Sequence, residues 1–472
     1  MPPMLKIPIQ PAKLLSSQTH QVPGKLLVTE LFFSVPLDHA KPEGERLRLF
    51  CRSAEKFDKP AAPKSTTKKD PETLPWFVYI TGGPGFGGPR PQDSPVAQDV
   101  IQKGYKFLSF DHRGMGQSNT VTSATLALKG SARSQADYLT HFRADNAVRD
   151  LEAIRLTLTA DHPEDQKQWS IMGQSYGGFV SLSYLSLHPE GLREVFTLGG
   201  LGPVSQRKPD ETIRRLYRQV TDRNKKYFDK YSEDVERVDR IVRLLDEKKP
   251  FLPSGVPLSR ARFLSTGISF GAHGGFDRVH DLVQRAANDL DVFDFLTRPT
   301  LADVEALSPA FDQHVIYALL HGSLYTQGES SEWVFDRVVA EENAKSVNND
   351  DNNGKDKDKV TPVHFTGEQV FKSAFDDYAE LQSLKEVAQI LEHRSDWPDL
   401  YDLDQLSRNS VPVYAAVYTE DMYVDLGFSL ETAGIVKGTK TYQTNMIYHD
   451  GVRSKTADVM KNLWALRDDT ID

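Results

Sequence analysis

The chain is poor in cysteine, in excess positive charge and in long apolar runs. One cysteine, Cys51, in 472 residues excludes an internal disulfide framework and a cysteine-based zinc cluster. It falls in the strand-like Leu47–Cys51, reads as a buried thiol, and points to a reducing, cytoplasmic location. Lys and Arg number 57 against 66 Asp and Glu, a formal net charge of −9. That balance excludes the basic face that nucleic acid or an anionic membrane selects. No apolar run approaches the roughly 18–20 residues of a membrane span. Met1–Gly24, broken by Pro2, Pro3, Pro8, Pro11 and Pro23, lacks the continuous apolar stretch of a secretory signal. The 13 histidines contain no His-Glu-x-x-His arrangement, so no metal site is expected. No internal repeat is evident.

What is present is an ordinary globular composition, 39% apolar and 26% charged, in a chain long enough for two packed units or one core with an elaborated insertion. Leu27–Val35 and Leu47–Arg52 read as strands joined by the turn-rich His39–Glu45. Lys56–Leu74, rich in Lys, Pro, Thr and Asp, reads as a solvated loop. Short apolar runs follow at Trp76–Ile80, Tyr105–Phe110, Trp169–Gly173 and Val195–Leu198, with helical patterns at Asp145–Leu158 and Phe179–Leu187. Short buried strands alternating with helices predict an α/β fold with a mostly parallel sheet covered on both faces. After Pro203 the pattern becomes helical, and the low-complexity Ala344–Lys359 is expected to be a disordered loop. Strand patterns return at Val411–Tyr418 and Thr441–Tyr448. The prediction is a core built from residues 1–204 and 409–472, with 205–408 inserted as a helical cap.

Gly173-Gln174-Ser175-Tyr176-Gly177 fits Gly-x-Ser-x-Gly between a predicted strand and a predicted helix. A serine on such a turn is held in a strained backbone conformation that exposes its oxygen, which is the nucleophile elbow of the α/β-hydrolase fold. Ser175 therefore needs a base oriented by a carboxylate, in the chain order Ser, Asp or Glu, His. Only the sequence after the insertion can close the sheet. Val411–Tyr418 runs into Thr419-Glu420-Asp421, and Thr441–Tyr448 runs into His449-Asp450. Asp421 and His449 are the expected partners, with Glu420 and Asp425 as competitors of Asp421. Donors to the oxyanion are expected from the glycine-rich Thr81–Gly85, at the Gly83 or Gly82 amide, and from the Tyr176 amide. A phosphate loop is excluded there by the lack of a Gly-Lys-Ser/Thr ending and by Pro84, which has no amide donor.

Thr-Gly-Gly-Pro-Gly-Phe at 81–86, Asp-His-Arg-Gly-Met-Gly-Gln-Ser at 111–118, Phe-Arg-Ala-Asp-Asn-Ala-Val-Arg-Asp at 142–150 and Gly-Gln-Ser-Tyr-Gly-Gly-Phe at 173–179 together resemble the proline iminopeptidase family. Tyr-Thr-Glu-Asp-Met-Tyr-Val-Asp at 418–425 and Tyr-His-Asp-Gly-Val-Arg at 448–453 are similar to its acid and base segments, especially in fungal-type members. The resemblance covers roughly Leu26–Pro203 and Val411–Trp464. It implies release of an N-terminal residue, preferentially proline, from peptides with a free N-terminus, through an acyl-enzyme, under a helical cap and with no cofactor. It also implies carboxylates in the cap that hold the substrate's α-amine. One belongs in a His-Glu-x-x-Tyr-like segment, matched here by His321-Gly322-Ser323-Leu324-Tyr325, with Gly322 in the glutamate position. Phe365-Thr366-Gly367-Glu368 offers Glu368 instead, with Glu329 and Glu332 as rivals. Phe86, Tyr325 and Trp333 are expected either to form an apolar proline pocket or to pack in the core. Gly322 leaves a second reading open, a carboxylesterase or amide hydrolase of the same fold with a different acyl preference.

Overall fold

A computed structural model describes residues 7–57, 74–350 and 361–469. Nine strands form one sheet: β1 (Lys13–Val22), β2 (Leu26–Pro36), β3 (Arg46–Lys56), β4 (Trp76–Ile80), β5 (Lys106–Phe110), β6 (Trp169–Gln174), β7 (Leu192–Leu198), β8 (Val413–Tyr418) and β9 (Thr439–Thr444). Their order across the sheet is β1-β2-β3-β5-β4-β6-β7-β8-β9. The first three pair antiparallel and the rest run parallel, as the buried apolar runs predict. β4, β6 and β8 are buried along their whole length, which requires cover on both faces. The helices Ala144–Leu158 and Tyr176–Leu187 supply part of it. From β4 the chain goes to β5 on one side and to β6 on the other. The sheet order thus reverses between β4 and β6, and ligands of open α/β sheets bind above such a switch point.

Between β7 and β8 the described residues are mainly helical, including Asp210–Lys230, Asp234–Lys248, Gly275–Phe293 and Val334–Asp350. Their apolar faces do not form one body. Val220, Tyr227, Phe270, Val283 and Phe365 build a separate core, whereas Val315, Leu319, Phe375, Leu391 and Trp397 join the core of the sheet. Two arginines from the 111–118 and 142–150 segments tie this arrangement together. Arg113 is fully buried and forms a bidentate pair with Asp150, at 2.6 and 2.7 Å, while His39 Nε2 lies 2.8 Å from the same carboxylate. Arg143 donates to the carbonyls of Ser323, Thr326 and Pro398, so it fastens the sheet-side helix to the inserted segment. Arg suits both places because its planar fork satisfies several buried acceptors at once.

Three expectations differ from the structure. Lys13–Val22 is a strand within the proline-broken N-terminus. Nearly every residue in it is exposed, so neither face needs apolar residues and no alternation marks it. β9 ends at Thr444 rather than Tyr448, because its partner β8 ends at Tyr418, opposite Thr444. The helix Val334–Asp350 runs well into the stretch expected to be a loop from Ala344, since no Gly or Pro interrupts it before Gly354. Residues 351–359 of that stretch lie outside the described residues, as does nearly all of Lys56–Leu74. Among the described residues no helix is long and apolar enough to cross a membrane.

Candidate active site

Ser175 lies between β6 and the helix Tyr176–Leu187 with φ +55° and ψ −122°, a conformation that non-glycine residues avoid. It is held there from both sides. Its amide donates to the Leu198 carbonyl at 3.0 Å, and its carbonyl accepts from the Gly178 amide at 2.7 Å. The helix passes close to β4: a Cβ on Gly177 would overlap the Ile80 carbonyl, and one on Gly173 would overlap the Gly177 carbonyl. Gly177→Ala is therefore expected to destabilise the fold by about 3 kcal/mol or more, because the obstacle is central-strand backbone that cannot move aside. A urea melt with an unchanged midpoint would show that the turn relaxes.

Asp421 follows β8 and His449 follows β9. His449 Nδ1 lies 2.7 Å from Asp421 Oδ2, and the other carboxylate oxygen accepts from the Tyr423 and Val424 amides at 2.9 and 3.1 Å. Since a carboxylate only accepts, Nδ1 carries the proton and Nε2 is left as the base. Burial opposes charge on His449, yet Asp421 holds its pKa above the usual imidazole value; Glu368 acts in the same sense and Arg453 against it. The competing carboxylates are engaged elsewhere. Glu420 pairs with Arg223 and Lys226, and Asp425 caps the helix Leu426–Ile435 and pairs with Arg215. Asp450 is held by His273 at 2.8 Å.

Ser175 and His449 line one cavity of about 880 Å³, together with Gly82, Gly83, Phe86 and Glu368. Gly82 runs so close to the Ser175 turn that a Cβ there would lie 2.6 Å from Gln174 Oε1 and 3.0 Å from the Ser175 Cβ. Tyr176, whose amide immediately follows Ser175, opens the helix.

Glu368 lines the cavity together with Asp93 and Asp450, and among the described residues is the one of the three that no other residue's charge pairs. Tyr317 donates to its Oε2 at 2.9 Å, and His321 Nε2 stands 3.9 Å from its Oε1. Burial pushes His321 down to about 3, so that imidazole is neutral, and it stacks on Tyr317 with ring centroids 4.7 Å apart. No lysine or arginine among the described residues pairs with Glu368. Burial accordingly pushes its carboxyl up to about 7, with His449 and Tyr317 pulling down and Asp421 pushing up. The rivals are placed differently: Glu329 pairs with Lys208, Glu332 accepts from Ser330, and neither lines the cavity. Gly322 is also absent from its wall. A Cβ there would meet the Glu392 carboxylate at 2.7 Å, so a glutamate in that position would press on a buried carboxylate.

Of the three aromatics expected around proline, Phe86 faces the cavity and rests on His314, with ring centroids 4.3 Å apart. Trp333 does not: its indole donates to Gln389 Oε1 at 3.1 Å and its ring packs against Phe375. Tyr325 is buried against Phe179 and His321, off the cavity wall. Tyr317 and Tyr423 take their places on the wall. Tyr317 stands one helical turn before His321, and Tyr423 two residues after Asp421, so both adjoin motifs already legible in the sequence.

A family profile described as the alpha/beta hydrolase fold matches residues 75–314. A proline iminopeptidase from Aspergillus aculeatus is 43% identical, over 98% of this chain and 99% of its own. A proline iminopeptidase from Aeromonas sobria is 37% identical, over 96% of this chain and 100% of its own. Among solved structures, a proline iminopeptidase from Mycobacterium smegmatis aligns at a TM-score of 0.40 and 12% identity, over 96% of this chain and 98% of its own. With identity of this order across almost the entire length of both curated relatives, the chain belongs to the proline iminopeptidase family of α/β hydrolases.

Proposed function

We propose that this protein is a serine aminopeptidase that releases an N-terminal residue, preferentially proline, from peptides with a free N-terminus. The observation that carries this reading is a buried carboxylate without a cationic partner, Glu368, in the same cavity as Ser175 and His449. A substrate ammonium is the partner such a carboxylate lacks. The same feature disfavours a general ester hydrolase, for which a buried acidic group beside the acyl site brings only a desolvation cost. A cytoplasmic site of action fits this reading, since the lone thiol, Cys51, is buried and needs no oxidising compartment.

In this mechanism Ser175 Oγ attacks the scissile carbonyl carbon while its proton passes to His449 Nε2. The Gly83 and Tyr176 amides hold the oxyanion. Asp421 keeps the imidazole in its tautomer and stabilises the imidazolium without taking the proton. His449 then protonates the leaving amine, the C–N bond breaks, and the prolyl group remains as an ester on Ser175. Water, deprotonated by His449, attacks that ester and frees proline. Throughout, Glu368 holds the ring ammonium, and Tyr317 fixes the carboxylate that does so.

The test is kcat/KM against pH for proline β-naphthylamide, its N-blocked analogue and a short acyl ester. The free-amine substrate is expected to be the best by at least about 100-fold. Its acid limb should be the steeper, because two groups must lose a proton: His449 to act as base, and Glu368, near pH 7, to bear charge. The ester should show only the His449 limb. These values describe the free enzyme, in which the coupled groups titrate together. Equal rates on blocked and free proline would overturn the aminopeptidase reading.

A further inference from the structure

The catalytic cavity has a second polar end that the proline site does not use. Arg453, one helical turn beyond His449, lines it with an exposed side chain. Among the described residues its guanidinium has no hydrogen bond, ion pair or ring contact. Tyr79, the penultimate residue of β4, is 6% exposed, lines the same cavity near enough for the Arg453 charge to act on its phenol, and its hydroxyl has no hydrogen-bond partner among the described residues. A buried phenol is ordinarily satisfied, so a hydroxyl directed into a cavity without a partner marks the place of a ligand acceptor. The two carboxylates lining this end are already engaged: Asp450 with His273 at 2.8 Å, and Asp93 with Arg90 at 2.8 Å. This end therefore presents donors with no internal anion to answer them.

The direction of the reaction says which part of the substrate lies here. His449 protonates the leaving amine, so the residue released after proline must lie beside His449, and Arg453 extends the same wall. Glu368, which would hold the ammonium, belongs to the acyl side. A short peptide in its zwitterionic form carries a cation at one end and a carboxylate at the other, which matches the charges of the wall in order.

Resting on the aminopeptidase reading, we infer that Arg453 and Tyr79 form a carboxylate subsite for the residue that follows the scissile bond, so that the preferred substrates are dipeptides with a free C-terminus. Arg453 is fit for this because its fork can bind both carboxylate oxygens, and Tyr79 adds an O–H donor from the sheet side. Longer peptides enter without that pairing, since their carboxylate lies beyond reach of the subsite.

The experiment compares kcat/KM for Pro-Ala with that for Pro-Ala-amide, which differ only in the terminal charge. Wild-type protein is expected to prefer the free acid by roughly 5- to 30-fold, the span of one charge-assisted contact at a partly open site. In Arg453→Gln the ratio should fall to about one, and in Arg453→Lys it should be intermediate, because lysine keeps the charge but not the fork. Tyr79→Phe should lower it by roughly 2- to 3-fold, leaving it above one. Raised salt should reduce the wild-type ratio and leave that of Arg453→Gln unchanged. A wild-type ratio of one, or a ratio unmoved by Arg453→Gln, overturns the subsite. If neither Pro-Ala nor its amide is hydrolysed while an acyl ester is, the aminopeptidase reading itself has failed.

Discussion

Ser175→Ala is expected to lower turnover on proline β-naphthylamide by on the order of 10⁶-fold while leaving the melting temperature within about 2 °C of wild type. The loss is large because the hydroxyl is the group that forms the covalent intermediate. Without it, the oxyanion donors and binding residues retain only their share of the acceleration over water. The fold should be indifferent, since the backbone hydrogen bonds to Leu198 and Gly178 hold the turn and alanine tolerates φ +55° no worse than serine does. A fluorophosphonate probe supplies the second readout: it should label wild type at one site and Ser175→Ala not at all. Labelling of the folded variant, or more than a few per cent residual turnover, would move the nucleophile elsewhere.

Glu368→Gln should have the second largest effect, and in two opposite senses. Activity on free-amine proline substrates should fall by about 10- to 1,000-fold, through loss of one buried charge-assisted contact. The acyl ester, which offers no ammonium, should change by less than about threefold. At the same time the variant should be more stable than wild type above neutral pH. The carboxyl has an ordinary value of 4.5 and is pushed up to about 7 in the fold. The folded state therefore binds the proton more strongly than the unfolded chain does. The destabilisation from ionising Glu368 is absent below about pH 4.5, grows between the two values and is complete above about 7, where it amounts to on the order of 1–3 kcal/mol. Chemical denaturation at pH 5 and pH 8 checks this, with the gap between variant and wild type opening at the higher pH. Equal losses on ester and amine would mean that Glu368 shapes the cavity rather than binding the amine. A glutamate that destabilises the protein yet serves its substrate is the trade expected of a binding site.

The sheet, and Ser175 and His449 as the candidate nucleophile and base that follow its strands, were legible in the sequence because each depends on local pattern. The turn at Ser175 requires small residues at 173, 177 and 178, and that requirement writes itself into six consecutive letters. The buried strands β4, β6 and β8 must be apolar on both faces, so they stand out against a charged background. β1 was silent for the converse reason: with solvent on both faces it has no pattern to show. Asp421 could not be separated from Glu420 and Asp425 by position alone, since all three follow the same strand. Contacts from distant segments separate them. Arg223 and Lys226 take Glu420, Arg215 and a helix terminus take Asp425, and His449 meets Asp421.

The residues around the cavity depended most on tertiary structure. Phe86, Tyr325 and Trp333 are chemically suited alike to a proline pocket, but only Phe86 lines the cavity, and Tyr317 and Tyr423 complete the wall. Glu368 was set apart from Glu329 and Glu332 in the sequence only by the resemblance of Phe365–Glu368 to a family segment; the structure adds that it lines the cavity without a cation. Tyr79 and Arg453 come from distant parts of the chain and line one cavity because parallel strands deliver their C-terminal ends to one edge of the sheet. The sequence by itself thus determined the fold class and marked Ser175 and His449 as the proposed nucleophile and base, because backbone conformation and short-range periodicity are local properties. Only the tertiary structure decided which of Asp421, Glu420 and Asp425 pairs with His449, which of Glu368, Glu329 and Glu332 lines the cavity without a cation, and that Tyr79 and Arg453 line it too, because burial and pairing are properties of segments that meet only once the chain has folded.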